Sequence, residues 1–133
     1  MQKQTTSNEM TADQFRRKYV DQEEHGLQAR AVKWFRGQYP QLMMVAIPNA
    51  GKRTKAERGR LIAEGMIRGW PDLHLAYPTN GLPGLYIETK TVNGVVSDEQ
   101  AIVHAYLRSV GYPVEIPKTF EEFQYVVEAY LHP

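Results

Sequence analysis

The chain has no cysteine, which excludes a disulfide scaffold, a thiolate zinc site, a thiol nucleophile and a cysteine-held iron–sulfur cluster together. Any metal it uses must therefore be held by Asp, Glu or His. Long apolar runs are also missing: no stretch of about 18 apolar residues is present, so a membrane-spanning helix is not expected. The opening residues, MQKQTTSNEM, contain no apolar core of a secretory signal, and the expected location is the cytoplasm. A bulk charge of one sign is lacking as well. Sixteen Lys and Arg against fifteen Asp and Glu leave a net +1, so total charge does not announce a polyanion partner. There is no internal repeat, and no membrane association or small organic cofactor is expected.

What is present fits one domain. A length of 133 residues with 42% in the hydrophobic set supports a single buried core and leaves no room for a second. The polar start, residues 1–10, is expected to be a disordered tail, with one folded domain over residues 11–133. Charge is unevenly placed. Residues 52–68 carry six basic side chains (Lys52, Arg53, Lys55, Arg58, Arg60 and Arg68) against Glu57 and Glu64, a candidate phosphate-contacting segment. From residue 111 onward Lys118 faces Glu115, Glu121, Glu122 and Glu128, a face expected to turn away from a polyanion.

Five helix starts are marked by Ser, Thr or Asp three residues ahead of Glu or Gln, a pairing that satisfies the unpaired N–H groups of a first turn. They are Thr11/Gln14, Asp21/Glu24, Thr54/Glu57, Ser97/Gln100 and Thr119/Glu122. A helix over about residues 22–38 aligns Leu27, Ala31, Trp34, Phe35 and Gln38 on one stripe, and a last helix aligns Phe120, Phe123, Val127 and Tyr130. Strand-like runs occupy residues 43–48, 72–77, 85–90 and 113–116, and the Pro and Gly between the second and third mark a hairpin. The order helix, strand, short helix, strand, strand, helix, strand, helix describes an α/β domain with one central sheet.

Strand alternation then makes a chemical prediction. In LYIETK, Leu85 and Ile87 face one side, while Glu88 and Lys90 face the other. In the preceding strand Asp72 and His74 share a face, so a suitable hairpin register brings Asp72 beside Glu88. Two carboxylates suit a hard divalent cation such as Mg²⁺, and a neighbouring lysine suits the orientation of an attacking water in phosphodiester hydrolysis. An isolated Glu-x-Lys equally describes an exposed ion pair, and the aromatics Trp34, Phe35 and Trp70 read as core. His25, His74, His104 and His132 show no paired metal-ligand spacing.

The segments EEHGLQARAVKWFRGQYP, AIPNAGKR, EGMIRGWPDLHL, GLYIETK, SDEQ and GYPVEI resemble, from about Glu23 to Leu131, a stand-alone VRR-NUC domain of the PD-(D/E)xK nuclease superfamily. The resemblance implies a restriction-endonuclease-like fold with a mixed four-stranded sheet flanked by helices. Pro71-Asp72 and Glu88-Thr89-Lys90 match the split signature. It implies Asp72 and Glu88 as ligands of Mg²⁺ or Mn²⁺, with the Thr89 backbone carbonyl as a third ligand and Glu24 as a further one. Lys90 would handle the attacking water, and Glu24 and Gln100 would complete the catalytic set. Glu23 stands as the alternative to Glu24, and Glu24 and Gln100 also sit where a capping box alone would place them. Asn49, Lys52 and Arg53 are the DNA contacts the resemblance implies, and Lys55 and Arg58 of the basic segment are expected to join them. Ala50 departs from the family, where many relatives have glycine.

The implied function is a metal-dependent DNA endonuclease. Stand-alone relatives include homodimers that cut four-way junctions, so a Holliday junction resolvase acting on branched DNA in a bacterial or phage-infected cell is the leading expectation. A flap or nicking nuclease of phage DNA metabolism would use the same cluster. A non-catalytic DNA-binding module would keep the fold and the basic segment but lose turnover.

Overall fold

The computed structural model describes residues 10–49, 51 and 53–133. The expected tail therefore falls almost wholly outside the described residues, as do Ala50 and Lys52. Elements follow the expected order: α1 (Ala12–Gln38), β1 (Met44–Ala46), α2 (Lys55–Ala63), β2 (Leu73–Leu75), β3 (Leu85–Ile87), α3 (Asp98–Ser109), β4 (Val114–Glu115) and α4 (Phe120–Leu131). Among the described residues no helix is long and apolar enough to cross a membrane.

The four strands lie in sequence order in one sheet. β1 and β2 pair antiparallel, as do β2 and β3, whereas β3 and β4 run parallel. A parallel neighbour requires a crossover, and α3 supplies it. The sheet is therefore mixed, as expected.

Each face of the sheet carries its own core. On one side Ala31 and Phe35 of α1 and Phe123, Val127 and Tyr130 of α4 pack against Leu73, Leu75, Leu85 and Ile87. On the other, Val103 and Leu107 of α3 pack with Tyr86 and Val114. Alternation along β3 explains the division, because Leu85 and Ile87 point away from Tyr86. His74 stacks on Tyr86, with ring centroids 4.4 Å apart. Its imidazole thus serves the second core.

One expected boundary is corrected. Asp21/Glu24 does not open a helix, because α1 runs unbroken for 27 residues from a capping box at Thr11 and Gln14. Residues 12–25 contain no proline, so once the Thr11 cap starts the helix, nothing stops its propagation. Gly26 lies in mid-helix, a position that costs about 1 kcal/mol relative to alanine but does not end a helix. The consequence is an α1 whose first turns project beyond the core, leaving Phe15 and Tyr19 exposed. The capping boxes at Thr54/Glu57 and Ser97/Gln100 form as expected.

Candidate active site

The register of the hairpin builds the floor of the site. Leu73 pairs with Ile87, and continuing that register by one residue sets Asp72 across from Glu88. The backbone beyond β3 stays ordered by the parallel neighbour: Glu88 N–H donates to the Glu115 carbonyl at 2.9 Å and Lys90 N–H to the Pro117 carbonyl at 3.2 Å. Asp72 is fixed from both ends. Its carbonyl accepts from Ile47 N–H at 2.8 Å, and its Oδ2 accepts from both the Thr89 N–H and the Thr89 hydroxyl at 2.9 Å. Both Thr89 donors use one oxygen, leaving Asp72 Oδ1 unengaged by them.

Gly69 brings the third wall into place. Its φ of +87° is a left-handed conformation, and a Cβ there would lie 2.6 Å from the Glu99 backbone. Only a glycine lets the loop ahead of Asp72 pack this closely under the start of α3. That approach sets Gln100 against Glu88.

Glu88 is only 2% exposed. Gln100 Nε2 donates to its Oε1 at 2.8 Å, while Gln100 Oε1 accepts from Ser97 N–H at 2.9 Å. Gln100 therefore both caps α3 and holds a carboxylate. The Lys90 ammonium lies 3.9 Å from Glu88 Oε1 and 3.9 Å from Glu24 Oε1, bridging the sheet to α1. A Cβ at Gly94 would collide with that Glu24 oxygen, so the turn after Lys90 closes over the pair. Of the two helix glutamates, Glu24 is half-buried and lines the cleft, whereas Glu23 is exposed.

The electrostatics follow from this enclosure. Burial first, and the negative charge of Asp72 second, push the Glu88 carboxyl up from 4.5 to about 8, against the opposing pull of Lys90. Burial also raises the Glu24 carboxyl, again opposed by Lys90. Two facing carboxylates, one of them buried, are unfavourable unless a proton or a cation neutralises one of them. Among the described residues no three Asp, Glu or His groups lie close enough to enclose an ion by themselves. Asp72 and Glu88 are oxygen donors of the kind Mg²⁺ takes one or two of, with carbonyl oxygen and water completing its shell.

These residues floor an open cleft of about 1170 Å³ lined by Asp72, Glu88, Thr89, Lys90, Gln100 and Glu24, with Asn49 and Gly51 on its rim. Asn49 Oδ1 accepts from Gly51 N–H at 2.9 Å, which shapes the loop after β1. Arg53, Lys55 and Arg58 are not among the described residues that line the cleft. Lys55 and Arg58 belong to α2, a helix that buries no side chain.

Two features escape the sequence reading. The first turns of α1 form a wall of the cleft through Gln14, Lys18, Gln22, His25 and Gln28. They follow one another at intervals of four, four, three and three residues, the helical period of a single face, and that is the signal that could have found them. The second is His104, one turn beyond Gln100, which is buried with its Nε2 3.7 Å from Glu88 Oε2.

A solved structure described as a VRR-NUC domain protein superposes with a TM-score of 0.67 at 20% identity, covering 81% of this chain and 87% of its own. A second, described as a VRR-NUC domain, gives a TM-score of 0.51 at 19% identity over 78% of this chain and 97% of its own. No curated protein matches. The family model for the VRR-NUC domain matches residues 10–120, so it takes in all of α1 and ends at the first residue of α4. With most of its length matched by that model and its overall fold similar to those structures, the chain belongs to the VRR-NUC domain family and carries its nuclease-type fold.

Proposed function

We propose that this protein is a metal-dependent DNA endonuclease that hydrolyses phosphodiester bonds in the cleft between α1 and α3. The observation that carries the reading is the buried Glu88 carboxylate facing Asp72, with the Lys90 ammonium 3.9 Å away. Asp72 and Glu88 would hold Mg²⁺ or Mn²⁺, together with the Thr89 carbonyl and water. When bound, such an ion supplies positive charge to a phosphate and polarises its oxygen.

The chain's own groups do the rest. Lys90 orients a water toward phosphorus and offsets the negative charge that develops as the new P–O bond forms and the bond to one bridging oxygen breaks, a proton released by the water to solvent being matched by one taken up from solvent by the departing oxygen. Glu24 holds the Lys90 ammonium over the sheet, so the amine faces the cleft. Gln100 fixes one Glu88 oxygen, and Thr89 fixes one oxygen of Asp72. Lys18 on α1, which lines the cleft, would contact a backbone phosphate and set position rather than sequence, while Arg53, Lys55 and Arg58, outside the cleft lining, would add positive charge nearby with smaller individual contributions.

Branched DNA is the substrate class we favour, cut by a homodimer. Severing two opposed strands of a four-way junction needs two such clefts related by a two-fold axis, and this chain has the residues for one. The test is cleavage of labelled four-way junction, flap and linear duplex with Mg²⁺, Mn²⁺ or EDTA. Paired symmetric junction cuts that require metal support the full reading. Metal-dependent cutting of flaps or nicked duplex alone would redirect it to another substrate, and a folded protein that binds DNA but cuts none of them would favour a non-catalytic module.

A further inference from the structure

His104 is a buried titratable group beside the acidic pair that the proposed chemistry leaves unused. It is 2% exposed and sits on α3 four residues after Gln100. That spacing stacks the two side chains on one helix face, and they address opposite oxygens of one carboxylate. Gln100 Nε2 donates to Glu88 Oε1 at 2.8 Å, and His104 Nε2 lies 3.7 Å from Glu88 Oε2. Both that oxygen and that nitrogen are buried without a hydrogen-bond partner. The separation exceeds a good N–H···O bond by less than about 1 Å. Buried polar atoms without partners are unfavourable, and these two face each other.

We infer that His104 is a positioning residue for Glu88: its Nε2–H donates to Glu88 Oε2, so that α3 grips both oxygens of the carboxylate and sets the affinity of the acidic pair for a divalent cation. The inference rests on the proposed cation site and deepens it. Carboxylates that hold metals are themselves held by hydrogen bonds, and loss of such a partner lowers metal affinity about 10- to 100-fold. His104 lies beneath the floor of the cleft and acts through Glu88 rather than on DNA. Val103 and Leu107 beside it pack into the second core, which keeps the imidazole from swinging away.

The test is Mn²⁺ binding by titration calorimetry on the parent, Asp72→Asn, His104→Gln and His104→Leu, with thermal melts to establish folding. Glutamine keeps an N–H donor at about the reach of Nε2, whereas leucine fills the space without one. The expected result is binding by the parent, none by Asp72→Asn, near-parental affinity for His104→Gln and a loss of about 10- to 100-fold for His104→Leu. Parental affinity in folded His104→Leu overturns the role of His104 and leaves the cation site standing. Absence of Mn²⁺ binding by the parent removes the cation site and this inference with it. If His104→Leu does not fold, ¹⁵N spectra of the parent imidazole decide: a proton on Nε2 whose resonance moves on adding Mg²⁺ supports the inference. A proton on Nδ1 alone, or a ring insensitive to Mg²⁺, overturns it.

Discussion

Gln100 and Glu88 are joined by a 2.8 Å hydrogen bond from an amide whose other end caps the helix that carries it. A local folding signal and the candidate chemistry thus share one side chain. The two uses can be separated. Glutamate also serves at this capping position, but it would place an acceptor where Glu88 needs a donor. Gln100→Glu is expected to keep the α3 start, seen as unchanged helical signal at acidic pH, and to lower Mn²⁺ affinity by at least about 10-fold. Gln100→Ala is expected to lose both, with about 1 kcal/mol of stability going with the cap. Calorimetry and melts on the two variants check this.

The Glu88 carboxyl predicts a pH dependence of stability. Its folded value of about 8 stands above the ordinary 4.5, through burial and the charge of Asp72. Between those values the fold retains a proton that the unfolded chain releases. The contribution of this group is therefore fully present below pH 4.5 and is lost as pH rises through about 8. Linkage therefore makes the metal-free fold lose stability as pH rises through that window. Metal-free melts of the parent are expected to fall across this window relative to Glu88→Gln, which cannot ionise there. Mg²⁺ competes with the same proton, so its stabilising effect on the parent is expected to grow with pH. Parallel melts of parent and variant, with and without Mg²⁺, measure both slopes.

Lys90 separates chemistry from cation binding. Lys90→Met keeps much of the apolar stem and removes the ammonium that lies 3.9 Å from Glu88 and from Glu24. Cleavage is expected to fall by about 10²- to 10³-fold, the scale for losing one preorganised charge at a reacting centre. Mn²⁺ binding is expected to persist, because Asp72 and Glu88 remain. Single-turnover cleavage beside calorimetry reads the two effects apart.

The α1 wall predicts a contact that the basic loop does not. Lys18 lines the cleft, whereas Lys55 does not. Lys18→Ala is expected to weaken binding of all DNA substrates and to reduce the slope of log affinity against log salt by about 0.9, the value for one phosphate contact. Lys55→Ala is expected to change that slope less. Anisotropy titrations over a salt series distinguish them.

Gly69 tests how the walls are set. Alanine there would adopt a left-handed backbone and place its Cβ 2.6 Å from the Glu99 backbone. Gly69→Ala is expected to lower stability by about 1–3 kcal/mol and to weaken Mn²⁺ binding by shifting Gln100 away from Glu88. Gly59→Ala, in open space on α2, is the control: it is expected to raise stability by up to about 1 kcal/mol and to leave Mn²⁺ binding unchanged.

Much of this arrangement was legible in the chain because it depends on short-range rules. Alternation along residues 85–90 separates Glu88 from Ile87, and the hairpin pairs Leu73 with Ile87, so the meeting of Asp72 and Glu88 follows from the period of a strand. The capping box at Ser97 and Gln100 is equally local. What escaped the sequence depends on how elements cross. Glu24 reaches Lys90 because Ala31 and Phe35 seat α1 on the sheet, and nothing near residue 24 specifies that seating. The second cap signature at Asp21 suggested a break, yet the helix beginning at Thr11 simply passes through it. His104 has no paired histidine or carboxylate at ligand spacing, and its relation to Glu88 appears only once α3 lies across β3. The basic cluster of residues 52–68 gave a charge pattern but no position, since no residue of α2 is fully buried and only Arg58 and Leu61 are half-buried.

The most direct measurement of the central claim is Mg²⁺-dependent thermal stabilisation above about pH 8, where Glu88 has released its proton, on the parent and Asp72→Asn. Asparagine keeps an acceptor for Thr89 while removing one of the two facing charges. The account predicts a melting temperature that rises with Mg²⁺ concentration in the parent and does not respond in Asp72→Asn. A parent that folds and melts identically with Mg²⁺ and with EDTA would contradict it.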